Sequence, residues 1–182
     1  MLKQSKNTGQ TIYLKMCLRD SYFSLLKEKN TEDISVSEIA KLAGLSRTSF
    51  YRHYQTKDDI VRLYIDDSLQ DFLEQLRTNP ITDSQVQTTT LFSYFRSNKS
   101  LIEILIKQGL FHLFFLPFSH FLQESNLVID SQPNISEESL QYYYQYTNGG
   151  ILNLIESWMR GGMKESDEEM ALVFKQIKKV NF

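Results

Sequence analysis

The sequence predicts an all-α fold, with a three-helix head over residues 1–55 and a body of about six helices over residues 56–182. Only 3 of the 182 residues are proline and 7 are glycine, the two residue types that most disfavour helix interiors. Apolar residues recur at helical spacing, as they do across residues 10–29 at Leu14, Leu18, Tyr22 and Leu25. Three stretches also carry the capping-box pattern that starts helices, and they begin at Ser35, Thr56 and Ser166.

Residues 35–57 contain the most informative local pattern. The capping box at Ser35 predicts a short helix, which must end at Gly44 because glycine can adopt the positive φ of a helix terminus. Ser46 is placed to cap a second short helix, and Phe50 can fill the space between the two. Ala40 is small enough to let the helices cross closely. Two short helices joined by a glycine-containing turn predict a helix-turn-helix.

The exposed face of the second helix indicates what this unit contacts. A helical corner with a glycine turn is common in helical proteins, so the turn alone is weak evidence for DNA binding. The face carries hydrogen-bond donors suited to base edges and phosphates, and none of its residues is acidic. They are Ser46, Arg47, Thr48, Ser49, Tyr51, Arg52, His53 and Lys57. This composition favours DNA binding.

The same stretch resembles a known family. Ile39-Ala40, Ala43-Gly44-Leu45-Ser46, Phe50-Tyr51-Arg52-His53-Tyr54 and Lys57 resemble the DNA-binding domain of TetR-type transcriptional regulators over about residues 10–65. The resemblance implies a double-stranded DNA operator as partner. It implies that base edges are faced by Ser37, Arg47 and Thr48, and that phosphates are held by Ser35, Ser46, Ser49, Tyr51, His53, Tyr54 and Lys57.

The distribution of charge agrees with DNA contact at the N-terminal end of the chain. The formal net charge is −2, yet residues 1–62 hold eleven Lys/Arg against seven Asp/Glu, and residues 63–182 hold nine against fifteen. A basic head and an acidic body are what a protein needs when only its head approaches the polyanionic duplex.

Other classes of function lack their signatures. The single cysteine, Cys17, excludes an intrachain disulfide. The three histidines, at positions 53, 112 and 120, lack the spacing of helical metal ligands. Motifs for nucleophilic or phosphate-binding chemistry are absent from the sequence, so we expect no catalytic residue, metal or cofactor. The longest apolar run, Leu110 to Phe118, is nine residues, too short for a membrane span, and we expect a cytoplasmic protein.

The C-terminal stretch suggests a partner subunit. Gly149 and Gly150 lie inside a predicted helix over residues 136–160, where each glycine costs about 1 kcal/mol relative to alanine. Close approach of another helix explains them, although burial within the same subunit is an open alternative. The family resemblance implies a homodimer through residues 136–160 and 166–179. The predicted interface residues are Gly150, Ile151, Leu154, Trp158, Leu172 and Phe174.

The body is rich in aromatic residues, which fit either an effector pocket or a plain core. The resemblance implies an inducer bound in the body, here a small apolar or amphipathic effector. Our candidate pocket residues are Phe72, Phe95, Phe111, Phe115 and Tyr143. We therefore predict a DNA-binding transcriptional regulator, a repressor released by an effector. The alternative is a DNA-binding regulator that is controlled by, or activates through, a protein partner docked on the body, with no small-molecule effector.

Overall fold

The computed structural model describes residues 2–125 and 136–179, and within those ranges every regular element is a helix, which confirms the predicted all-α class. The α-helices are α1 (Leu2–Glu28), α2 (Val36–Leu42), α3 (Arg47–Tyr51), α4 (Lys57–Thr78), α5 (Ser84–Ser97), α6 (Lys99–Lys107), α7 (Phe115–Ser125), α8 (Glu137–Arg160) and α9 (Asp167–Lys179). Two 3₁₀ turns, Thr31–Asp33 and Phe111–Phe114, precede α2 and α7. No helix in these ranges is long and apolar enough to cross a bilayer.

The contacts divide the chain into two compact units, Met1–Ile65 and Asp66–Phe182. We call them the N-terminal unit and the C-terminal unit. The division falls inside α4, so this one helix contributes its first turns to the N-terminal unit and its remainder to the C-terminal unit.

The N-terminal unit is built on α1, which packs against α2, while α2 packs against α3. Helix α1 begins at Leu2, before the stretch of residues 10–29 in which the sequence shows helical spacing. The core of the unit is apolar and fully enclosed, and its largest members are Leu18, Tyr22, Leu26, Ile39, Phe50, Ile60 and Ile65. Burying each such side chain contributes about 1.5–3 kcal/mol, which offsets the cost of ordering helices as short as α2 and α3.

The C-terminal unit has an aromatic core. Helix α5 packs against α9, and α7 packs against α8. Successive ring contacts of 5.3–5.8 Å between centroids join the buried phenylalanines into one cluster. Its members are Phe72, Phe95, Phe111, Phe114, Phe118 and Phe121. The rings that could have lined a cavity therefore pack mainly against one another.

Arg96 fixes the turn between α8 and α9. Its Nε lies 2.7 Å from Oδ1 of Asp167, and its Nη2 donates to the carbonyl of Glu165 at 2.6 Å. The guanidinium carbon also lies 4.8 Å from the ring centre of Trp158, a cation–π distance. In this turn Gly162 has a φ of 87°, and Met163 has a φ of 54°, which is uncommon for a residue other than glycine.

Candidate nucleic-acid interface

The helix-turn-helix forms as the sequence predicts. The Ser35 hydroxyl accepts a hydrogen bond from the Glu38 N–H at 3.2 Å and caps α2. Gly44, with a φ of 69°, ends this segment, and the Leu45 N–H donates back to the Ala40 carbonyl at 2.8 Å. That bond is the 6→1 hydrogen bond of the Schellman motif, in which a helix ends at a glycine. The outcome is a tight turn that fixes the direction in which α3 leaves α2.

Helix α3 is short but firmly anchored. The Ser46 hydroxyl accepts from the Ser49 N–H at 3.0 Å and starts the helix. Phe50, with no exposed surface, fixes its inner face, in ring contact with Tyr51 and Tyr54 at 5.3 and 5.7 Å. Anchoring by one fully buried ring leaves the opposite face of α3 directed to solvent.

The predicted DNA-contacting residues are mostly exposed. The exposed ones are Ser35, Ser37, Ser46, Arg47, Thr48 and Tyr51, while Ser49 and His53 are half-buried. Arg47 lies along the outer face, with its Nη2 3.4 Å from the Tyr51 hydroxyl and its guanidinium carbon 5.5 Å from that ring centre. The surface of α3 therefore presents a cation, hydroxyls and a phenol, which are donors for base edges and phosphates.

Tyr54 departs from its predicted place. Its side chain is only 6% exposed and packs against Phe50, so it belongs to the core of the N-terminal unit. The resemblance had implied a phosphate contact for this residue. A ring enclosed by its own subunit does not present such a contact, and we remove Tyr54 from the set.

Lys57 has hydrogen-bond partners within its own unit. Its ammonium donates hydrogen bonds to the backbone carbonyls of Thr31 and Ile34, the latter at 3.0 Å. Both acceptors belong to the connection between α1 and α2. The phosphate contact predicted for Lys57 stays a prediction.

The connection between α1 and α2 carries two further interactions that the sequence did not reveal. The hydroxyls of Tyr22 and Thr31 are hydrogen-bonded at 2.7 Å, and Lys29 forms an ion pair with Glu38. Burial raises the pKa of the Tyr22 phenol to about 12, despite the opposing effect of its bond to Thr31. Residue types alone do not signal these contacts, because each joins positions nine residues apart.

The predicted dimer residues differ in how far their own subunit buries them. Gly150 is exposed on the outer stripe of α8, where Tyr142 and Tyr146 are 65% and 71% exposed, and Leu172 of α9 is 50% exposed. Leu154 and Phe174 are half-buried. Ile151 and Trp158 are a correction, because their own subunit already covers them, to 1% and 5% exposure. The Trp158 ring packs edge-on against Phe92 and beneath Arg96.

The five predicted pocket residues differ in burial and surroundings. Phe72, Phe95 and Phe111 belong to the buried aromatic cluster, Tyr143 is half-buried and Phe115 is 40% exposed. Phe72 also lines a solvent-open groove of about 400 Å³ between α4 and α5. Its lining is mainly polar, with Ser68, Asp71, Gln75, Thr90, Ser93, Tyr94, Ser97 and Asn98. This groove does not have the apolar lining that the prediction required.

A capped helix-turn-helix with a donor-rich recognition face, joined to a helical C-terminal unit, defines the class of helix-turn-helix DNA-binding proteins. Residues 22–63 match the family profile of bacterial regulatory proteins of the tetR family, and residues 82–179 match that of a transcriptional regulator C-terminal region. The chain belongs to the TetR family of transcriptional regulators.

Individual relatives are distant. The HTH-type transcriptional regulator YxbF of Bacillus subtilis (strain 168) is 22% identical over 161 residues, which cover 85% of this chain and 42% of that protein. The chain spans 42% and 48% of the length of two curated relatives that it matches.

Solved structures share the fold. A TetR transcriptional regulator from Streptococcus agalactiae 2603V is similar with a TM-score of 0.68 and 18% identity, covering 96% of this chain and 98% of that one. The dihydroxyacetone kinase operon activator DhaS has a TM-score of 0.54 and 19% identity, with 92% and 97% covered. At such identities the likeness extends to the fold alone.

Proposed function

We propose that this transcriptional regulator recognises a double-stranded DNA operator by placing α3 in the major groove. The observation that carries the proposal is the outer face of α3, where Arg47 and Thr48 are exposed and no residue is acidic. Arginine can contact guanine bidentately in the major groove, and hydroxyls donate to bases or phosphates. The buried Phe50 holds this face in one orientation without DNA.

We further propose that the protein acts as a homodimer. Two recognition helices on one face of the duplex must lie about 34–36 Å apart, or at a multiple of that spacing. A helix as short as α3 makes few contacts, so a second head is needed for useful affinity. The exposed stripe of α8, with Tyr142, Tyr146 and Gly150, is a helix surface that a second copy can cover together with Leu172 of α9.

Regulation is proposed as repression that ends when an effector binds the C-terminal unit. The groove beside Phe72 supports a small ligand, and its lining favours a polar ligand over the apolar effector expected from sequence.

A second candidate mechanism is control by a protein partner. It is favoured by Phe115 and Leu116 at the start of α7, which are 40% and 57% exposed. A compound that changes both melting temperature and operator affinity supports the first, and co-purification of a stoichiometric protein that changes operator affinity supports the second.

The Arg47→Ala variant tests operator recognition. If Arg47 contacts a guanine, its loss should remove about 1–3 kcal/mol of discrimination at one base pair of each half-site. Operator affinity should fall while affinity for unrelated DNA changes much less. The measurement is a set of dissociation constants for the selected operator and for operators with single base-pair changes. Lys41→Ala, which removes an exposed lysine from α2, is the matched control. An equal loss on all sequences would contradict base recognition by Arg47.

A further inference from the structure

The groove between α4 and α5 is polar at positions where two neighbouring helices ordinarily present apolar side chains to each other. Helix α4 contributes positions 68, 71, 72 and 75, and α5 contributes positions 90, 93, 94 and 97, so each set follows one face of its helix. Among these eight side chains only Phe72 lacks a polar atom. The lining therefore has the composition of a site for a polar ligand.

The aromatic floor of the groove offers a ligand little ring surface. Phe72 is 6% exposed, and it stacks on Tyr94 and Phe121 with ring centroids 4.6 and 5.3 Å apart. The Tyr94 hydroxyl is hydrogen-bonded to the Ser68 hydroxyl at 2.8 Å, which joins the two walls at one point. Because cation–π binding needs an open ring face, recognition in this groove must come from its polar atoms.

Those polar atoms are mainly hydrogen-bond acceptors. The Thr90 hydroxyl donates to the Val86 carbonyl at 2.7 Å, and the Asn98 amide donates to the Tyr94 carbonyl at 2.8 Å. These bonds use donor hydrogens and leave lone pairs on the Thr90 hydroxyl and on the Asn98 side-chain carbonyl. Asp71 adds a carboxylate, which only accepts when it is ionised. A matching ligand must donate hydrogen bonds.

Asp71 also gives the groove an uncompensated negative charge. It is exposed, it has no ion-pair or hydrogen-bond partner in the part of the chain that the structure describes, and the groove lining contains no basic residue. The arginines nearest in sequence are paired with other carboxylates: Arg62 with Asp59, Arg77 with Glu74 and Glu124, and Arg96 with Asp167. A ligand that carries positive charge on its donors would form the stronger, charge-assisted kind of hydrogen bond with Asp71.

We propose that this groove binds a small linear organic cation with primary amino groups. The Asp71 carboxylate and the side-chain oxygens of Thr90 and Asn98 accept its N–H donors. Thr90 and Asn98 lie eight residues apart on α5, about 12 Å along the helix axis, so an extended diamine can reach both. The groove volume of about 400 Å³ is typical of small-ligand sites. The role of this cation as the effector rests on the proposed function, whereas its binding does not.

The first test is calorimetric titration of the full chain with three probes of equal length. Octane-1,8-diamine carries charge and N–H donors, octane-1,8-diol carries donors without charge, and octamethonium carries charge without donors. We expect the diamine to saturate one site per subunit, and the other two probes to bind at least about tenfold more weakly. Equal binding of all three probes, or no saturable binding of the diamine at millimolar concentration, overturns the proposal.

The second test is the Asp71→Asn variant. Diamine affinity should fall about tenfold, while the melting temperature without ligand stays the same because Asp71 is exposed. Asp67→Asn is the matched control, since Asp67 is an exposed acid one turn earlier on α4, is not part of the groove lining, and gives the same change in net charge. It should retain the affinity of the unmodified protein. Unchanged affinity in Asp71→Asn, or an equal loss in Asp67→Asn, overturns the proposal.

Operator binding in the presence of the diamine separates this proposal from the proposed function. Amines also screen DNA phosphates without any protein site, so the unmodified protein is compared with Asp71→Asn at the same diamine concentration. A change of operator affinity in the unmodified protein alone supports the effector role. Groove binding with equal operator affinities keeps the site and refutes the effector role. A protein that selects an operator but binds no diamine overturns the groove proposal and leaves operator recognition intact.

Discussion

Replacing Phe50 with alanine is expected to unfold the N-terminal unit and abolish operator binding. Phe50 has no exposed surface, and it is the only fully buried side chain of α3. Removing a buried phenylalanine ring costs about 3–5 kcal/mol, a large fraction of the 5–15 kcal/mol by which a typical domain is stable. Helix α3 cannot persist alone, because helices shorter than about 12 residues are marginal in water.

The measurement is urea unfolding followed by circular dichroism, together with operator binding. Tyr51→Ala is the matched control, because Tyr51 is the next residue of the same helix and is 47% exposed. Its truncation should leave the unfolding midpoint nearly unchanged. An unfolding midpoint and operator affinity in Phe50→Ala equal to those of the unmodified protein would show that α3 is not anchored as described.

The second large effect is expected from Gly150→Leu, which should convert the proposed dimer into a monomer. A Cβ atom at Gly150 would meet nothing within 4 Å among the residues that the structure describes. Leucine is also the better helix former, by up to about 1 kcal/mol. The substitution therefore leaves the subunit folded, while a side chain of this size prevents close approach of another helix. Losing the linked second head should lower operator affinity about 10²–10⁴-fold.

Sedimentation at micromolar concentration measures the oligomeric state, and thermal unfolding checks that the subunit is intact. Glu103→Leu places the same leucine on an exposed position of α6 and should leave a dimer. A monomer in the unmodified protein, or a dimer in Gly150→Leu, would remove this stripe of α8 from the proposed interface.

The sequence predicted the helix-turn-helix closely because its determinants are local. Ser35, Gly44 and Ser46 act within four or five residues, through a side-chain cap or a positive φ. The capping boxes at Thr56 and Ser166 are formed for the same reason, with reciprocal bonds to Asp59 and Glu169. Short-range bonds of this kind can be inferred from residue type and spacing alone.

The roles of long-range residues could not be inferred in this way. Lys57 matches the family pattern, yet its hydrogen-bond acceptors are backbone atoms more than twenty residues away in the chain. No residue close to Lys57 in the sequence indicates them. Trp158 has the composition of an interface residue, but Arg96 and Phe92 enclose it within its own subunit. Interface and core positions share the same chemistry, so only the packing separates them.

The aromatic residues of the C-terminal unit show the same limit. Phe115 and Phe118 are three residues apart in α7, yet one is 40% exposed and the other is fully buried. Pro117 lies in the first turn of α7, where a missing N–H is tolerated. The residues before it form the separate 3₁₀ turn Phe111–Phe114.

Selection of bound sequences from a random pool of double-stranded DNA tests the central claim most directly. The full chain should enrich a two-fold symmetric site, whose half-sites are about 10–10.5 base pairs apart between centres or at a multiple of that spacing. Arg47→Ala should enrich a site with relaxed preference at one position of each half. The contradicting result is that the unmodified protein enriches no sequence above the input pool, at a salt concentration where it still retains DNA from that pool. Operator recognition by α3 would then be wrong.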